Sequence, residues 1–214
     1  MSEPSNKNKL DVIKAGVESI KSNYYKAAIA YFNASKDEVL AKQDDERIRL
    51  IEKSITMCFL AQKNKELHQL ICQLYINSLA KKSQLYFLLV KLYSETIIDK
   101  KESESIQNLF PSKFSKGGSD NISILSKAIF IHNMIPILKS FESISLQLLS
   151  EFTAMKEDDL LAMIEKSFSS KEIEIDQVGG YLYIKEDKAL KDKILVKTFF
   201  DSLETLLPNT GTVK

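Results

Sequence analysis

Residues 143–168 read SISLQLLSEFTAMKEDDLLAMIEKSF, and residues 169–184 continue SSKEIEIDQVGGYLYI. The first block carries two short amphipathic patterns with a tight turn between them, each with apolar side chains at three- and four-residue steps. The second reads as a two-stranded ribbon folded at Gly179-Gly180, with Ile173, Ile175, Val178, Tyr181, Tyr183 and Ile184 as its apolar residues. Helix, turn, helix, β-hairpin is the order of a winged helix. Everything ahead of it reads as paired helices, and everything behind it as one more helix.

The paired helices begin after a polar lead at residues 1–8. Leu10, Ile13, Val17 and Ile20 recur at helical spacing, and Asn23 with Tyr24-Tyr25 marks a turn. Ala27, Ala28, Ala30, Tyr31 and Ala34 then give a helix with a small-residue face. Small residues let two helices approach closely, so these segments read as an antiparallel pair of the kind that tetratricopeptide-like repeats stack. Asp44-Asp45-Glu46 places acids at the positive end of the next helix dipole. Further apolar patterns follow at residues 48–60, 67–75 and 85–98. Residues 100–105 read as charged and polar, 106–110 as a short helix ended by Pro111, and 113–121 as a loop. Residues 122–140 read as a helix that Pro136 should kink. The expected fold is mostly α: a helical-repeat region at 9–121, the winged helix at 122–187, a C-terminal helix at 188–208 and a tail at 209–214.

Composition limits what such a chain does. It has 214 residues, 44% of them apolar and 28% charged, with a mean hydropathy of −0.16, which suits a globular protein with a real core. Six glycines and four prolines leave little room for turns, which favours long helices. The formal charge of +1 supplies no global field toward nucleic acid or membrane. The polar N-terminus lacks a signal-peptide core, and the densest apolar run, residues 85–90, is too short to span a bilayer, so an intracellular, soluble chain is expected. Cys58 and Cys72 lie in apolar helical patterns outside any Cys-x-x-Cys unit and read as core thiols. The two histidines, His68 and His132, fall on different helices, and no catalytic or metal-binding signature is present. No catalytic residue, cofactor or metal is therefore assigned.

Phosphate recognition needs a basic second helix or a basic wing. Residues 143–187 hold ten acids and four lysines, a balance of −6, and no arginine. The second helix, which would enter a groove, opens on Glu157-Asp158-Asp159. Repulsion from phosphates argues against nucleic acid and for a protein partner. The ribbon supports that reading, because an open strand edge can pair with a neighbour's strand, the alternative being that a third strand or the winged-helix core satisfies it. Ile173, Ile175, Tyr181 and Tyr183 are the candidate contacts there. Leu190, Ile194, Phe199, Leu203 and Leu206 form a continuous stripe on the last helix, which needs a partner to bury it.

Helical pairs, an acidic winged helix and a terminal helix resemble the PCI scaffold subunits of the proteasome lid, the COP-nine signalosome and translation initiation factor three. The most specific segment, Ile175-Asp176-Gln177-Val178-Gly179-Gly180-Tyr181-Leu182-Tyr183-Ile184, resembles the wing of the signalosome's subunit-four family. Ile124-Leu125-Ser126-Lys127-Ala128, Asp45-Glu46-Arg47, the run from Ile55 through Ala61 and Tyr25-Lys26-Ala27-Ala28 resemble preceding parts of it. Family members carry further helical repeats ahead of those matched here. The resemblance implies a non-catalytic scaffold, cytoplasmic and nuclear. Its partners would be other PCI subunits and a metalloprotease pair that removes the ubiquitin-like modifier from cullins. The alternatives are a PCI scaffold of the lid or the initiation factor and, from another class, a nucleic-acid-binding PCI protein using Lys21, Lys26, Lys36 and Lys42.

Overall fold

The alanine face expected at residues 27–34 packs between two helices. In the computed structural model, which describes residues 6–37, 40, 43–116, 122–153, 155–168 and 173–185, Ala27 and Ala28 are fully buried on α2 (Tyr24–Ser35). With no side chain beyond Cβ at Ala28, the Ser54 hydroxyl of α3 (Asp44–Leu60) reaches and donates to the Ala28 carbonyl at 2.8 Å. Arg47 Nε donates to the Ser35 carbonyl at 3.0 Å, satisfying one of the orphan acceptors at the end of α2. On the other side α2 packs against α1 (Asn6–Ile20).

The chain divides into two units, Met1–His132 and Asn133–Lys214. The first continues through α4 (Lys65–Ile76), a 3-10 turn (Ala80–Lys82), α5 (Tyr86–Ser94), α6 (Lys100–Leu109) and α7 (Ser112–Ser115). α4 starts where Asn64 accepts from the Leu67 amide at 2.7 Å, a side-chain cap. Its core is one cluster, including Leu50, Ile51, Ile55, Leu67, Leu74, Leu88, Leu89 and Ile106.

On α1 the apolar residues Leu10, Ile13, Val17 and Ile20 are exposed, and the side facing α2 carries Ala15 and Ser19. Three sequence expectations change in this unit. The helix expected over 85–98 ends at Ser94, where Glu95 turns left-handed at φ 50° and Lys91 Nζ donates to the Ile97 carbonyl at 2.8 Å. The polar stretch after it is the start of α6. Asp99 accepts from the Glu102 amide at 2.8 Å, and Glu102 accepts from the Asp99 amide at 2.9 Å, a capping box that nucleates the helix. Part of the expected loop at 113–121 is the single turn α7, held by buried Phe114, whose ring meets Tyr24 edge-on at 6.3 Å.

α8 (Ile124–Ser140) runs through Pro136 as one helix, and the boundary between the units falls within it. The second unit then follows β1 (Ser143–Ser145), α9 (Leu146–Thr153), α10 (Glu157–Ser167), β2 (Ile173–Asp176) and β3 (Tyr181–Ile184). The three strands form an antiparallel sheet in the order β1-β3-β2. A helix, a short strand, two helices and a β-hairpin make a winged helix, so the mostly α, helical-repeat-plus-winged-helix architecture holds.

Candidate protein-interaction site

The hairpin is set by its turn. Asp176 Oδ1 accepts from the amides of Val178 at 3.1 Å and Gly179 at 2.9 Å, so the carboxylate replaces a backbone acceptor and closes the bend. A Cβ at Gly179 would sit 2.4 Å from that carboxylate, and Gly180 adopts φ +70°. Gly180 thus suits the left-handed backbone there, and Gly179 leaves the Asp176 carboxylate its place in the turn. Val178 stands fully exposed at the tip.

Register then sorts the side chains. Ile173 faces Ile184, while Ile175 and Ile144 both face Leu182 across the central strand. These side chains form the inner face, with Ile144, Ile173 and Leu182 buried. Tyr183 lies between Glu174 and Ser143, and Tyr181 between Asp176 and Ser145. That outer face is aromatic and acidic. Both tyrosines are 44% exposed, with ring centroids 6.3 Å apart. Glu174 pairs with Lys185 at 3.1 Å on the surface.

β1 corrects the expected two-stranded ribbon. Its backbone pairing is extended by the Leu146 amide donating to the Gly180 carbonyl and the Ile184 amide to the Glu142 carbonyl, each at 2.8 Å. β3, carrying Tyr181 and Tyr183, is the central strand with both edges used. Among the described residues the free edges belong to β1 and β2. Ile173 and Ile175 point inward, and the side chains a partner can reach are Tyr181, Tyr183 and the acids beside them. Register, which needs only the alternation in Ile173-Glu174-Ile175-Asp176, is the signal that finds Glu174 and Asp176. The stripe of Leu190, Ile194, Phe199, Leu203 and Leu206 lies outside the described residues.

The acids at the start of α10, Glu157, Asp158 and Asp159, are exposed, while Leu160, Met163 and Ile164 behind them are buried. The helix a DNA-reading winged helix would insert therefore opens on negative charge at its solvent side. Thr153, buried on α9, donates to the Leu149 carbonyl at 2.8 Å and keeps its hydroxyl satisfied.

The titratable groups of the first unit do not converge. His132 is buried, and its Nε2 donates to the Thr96 carbonyl at 2.9 Å, since a carbonyl only accepts. The neutral ring then leaves Nδ1 as a buried acceptor with no hydrogen-bond donor among the described residues. Burial first, then the charge of Lys63, depresses His132 to a pKa of about 4, against the opposing pull of the Thr96 bond and Glu95. Burial pushes the Cys58 thiol up to about 12, and also raises Cys72. His68 lies part-exposed on α4. Among the described residues no group of three His, Cys, Asp or Glu side chains is placed to hold a metal, and no described helix is long and apolar enough to cross a membrane.

A helical array followed by an acidic winged helix with a three-stranded sheet is the PCI-like class of architecture. No protein-family model matches the chain. It is similar to "COP9 signalosome complex subunit 4" of Caenorhabditis elegans, 24% identical over 181 residues, covering 84% of this chain and 43% of that protein. The Drosophila melanogaster protein of the same name is 23% identical over 171 residues, covering 80% of this chain and 40% of that protein. The chain therefore spans about two fifths of the length of the curated relatives it matches.

Proposed function

We propose that this chain is a non-catalytic scaffold subunit of a COP9-signalosome-type complex, acting in the cytoplasm and nucleus. It would assemble through the winged helix and residues 188–208 and so support removal of the ubiquitin-like modifier from cullins. The observation that carries the reading is the similarity to signalosome subunit 4 over four fifths of the chain, which includes most of the described fold. The acidic, aromatic outer face of the sheet and the acidic opening of α10 support a protein partner over nucleic acid.

The test is purification of the tagged chain from its own cells in moderate salt, followed by identification of what accompanies it. Signalosome PCI subunits together with the metalloprotease pair are the expected result. Proteasome-lid or initiation-factor subunits in their place would keep the scaffold role and move it to another complex. Recovery with RNA, or alone, would overturn the proposal.

A further inference from the structure

α1 has two faces of different kind. Ala15 is fully buried and Ser19 nearly so, with Val12 and Gly16 part-buried, and this side packs on α2. Leu10, Ile13, Val17 and Ile20 are 50, 62, 42 and 80% exposed. Their spacing of three, four and three residues is that of successive a and d positions in a heptad. At about 100° per residue, Ala15 lies diametrically across the helix from the midline of that stripe. The stripe is thus a coiled-coil-like seam facing away from α2, on a helix whose core side carries Ala15 and Ser19.

The charges beside the seam say what fits it. With Leu10 and Val17 at a, the flanking e and g positions are Lys9, Lys14, Gly16 and Lys21. Three are basic and none is acidic. Asp11 and Glu18 fall at b, further round toward α2. Opposite charges at e and g select coiled-coil partners, and like charges repel. A second copy would bring lysines against lysines, whereas a helix with acids opposite Lys14 and Lys21 would be matched there.

We propose that this face of α1 is a docking seam for one amphipathic helix of a partner chain, with Leu, Ile or Val at a and d and Glu or Asp at e and g. The probe is a fluorescein-labelled synthetic peptide of about three heptads, Ile at a, Leu at d and Glu at e and g, whose own like charges oppose self-pairing. It is titrated against the full chain by fluorescence anisotropy, beside a control peptide with Lys at e and g. The acidic peptide is expected to bind roughly tenfold or more tightly than the control, a difference of about 1.4 kcal/mol. Ile13→Glu should weaken it by a similar factor, with the circular-dichroism melt unchanged because Ile13 is 62% exposed. Lys14→Glu with Lys21→Glu should reverse the preference, which keeps the test decisive even if Ile13→Glu disturbs the fold. Equal binding of both peptides, or binding of neither, would overturn the proposal. So would a concentration-dependent dimer of the chain in sedimentation that Ile13→Glu removes, since the occupant would then be a second copy.

Discussion

His132 shows how one side chain ties the first unit to pH. Its pKa falls from 6.5 to about 4 because the ring is buried and close to Lys63, and the bond to Thr96 opposes that fall without cancelling it. Between those values the unfolded chain binds a proton that the folded chain refuses. The stability present above pH 6.5 is therefore lost progressively as pH falls toward 4. At about 1.4 kcal/mol per pKa unit, the full loss is about 3 kcal/mol. Urea unfolding at pH 7 and pH 4.5 should show it as a drop in midpoint, and His132→Phe should flatten that dependence. An unchanged slope in the variant would assign the acid sensitivity to other groups. Cys58, buried on α3 with a thiol near 12, should react with a thiol reagent only on unfolding, while half-buried Cys72 reacts first. Mass spectrometry of partly labelled native protein distinguishes the two.

At the scale of elements, the sheet separates stability from contact. Leu182 is fully buried at the centre of β3, opposite Ile144 and Ile175. Leu182→Ala removes contacts on both sides and should cost about 2–5 kcal/mol. Tyr181→Ala with Tyr183→Ala removes exposed rings from the same strand. It should leave the melting temperature within a few degrees while reducing recovery of partner subunits in the tagged purification. A large stability loss in the tyrosine pair would mean that those rings hold the fold rather than a partner. Proline at Tyr183 tests neither role, because it breaks the pairing of the central strand itself. Asp99→Ala should cost about 1 kcal/mol by removing the cap of α6, measured as a shift in the urea midpoint.

These elements also mark what could be read in residue order. The hairpin was legible because Gly179-Gly180 punctuates it and Ile and Tyr fill both arms. β1 was not, because Ser143-Ile144-Ser145 spans three residues and runs without a break into the helical pattern of α9. α6 was hidden by its polarity: eight of its residues are polar, and only the Asp99–Glu102 pair announces a helix start. For α1 the period marks the helix but not which of its sides is buried. Periodicity locates an apolar stripe, but Ala15 and Ser19 bury as well as larger residues do where two backbones approach closely. Small-residue faces therefore compete with apolar stripes for the core, and only tertiary contact decides between them.

At the scale of the whole molecule, the remaining question is what residues 188–208 add to the winged helix. Leu195, Phe199, Leu203 and Leu206 recur at helical spacing, with Leu190 and Ile194 across the helix from them at about 100° per residue, and apolar residues so placed need something to cover them. If this segment is an assembly element, its apolar character is needed in the complex and dispensable for the fold of the two units. Ile194→Asp combined with Leu203→Asp places one charge on each side of such a helix, and burying them against a partner would cost several kcal/mol. The double variant should lose its co-purifying subunits while its urea midpoint stays close to that of the parent. The outer-face tyrosine variant, in contrast, should lose only the neighbour bound at the sheet. Two different sets of lost subunits would mean that the chain joins partners at two independent surfaces, which is what a scaffold requires. Identical losses would mean one composite surface. Unchanged co-purification by the Asp variant would remove residues 188–208 from the assembly and leave the winged helix as the sole anchor.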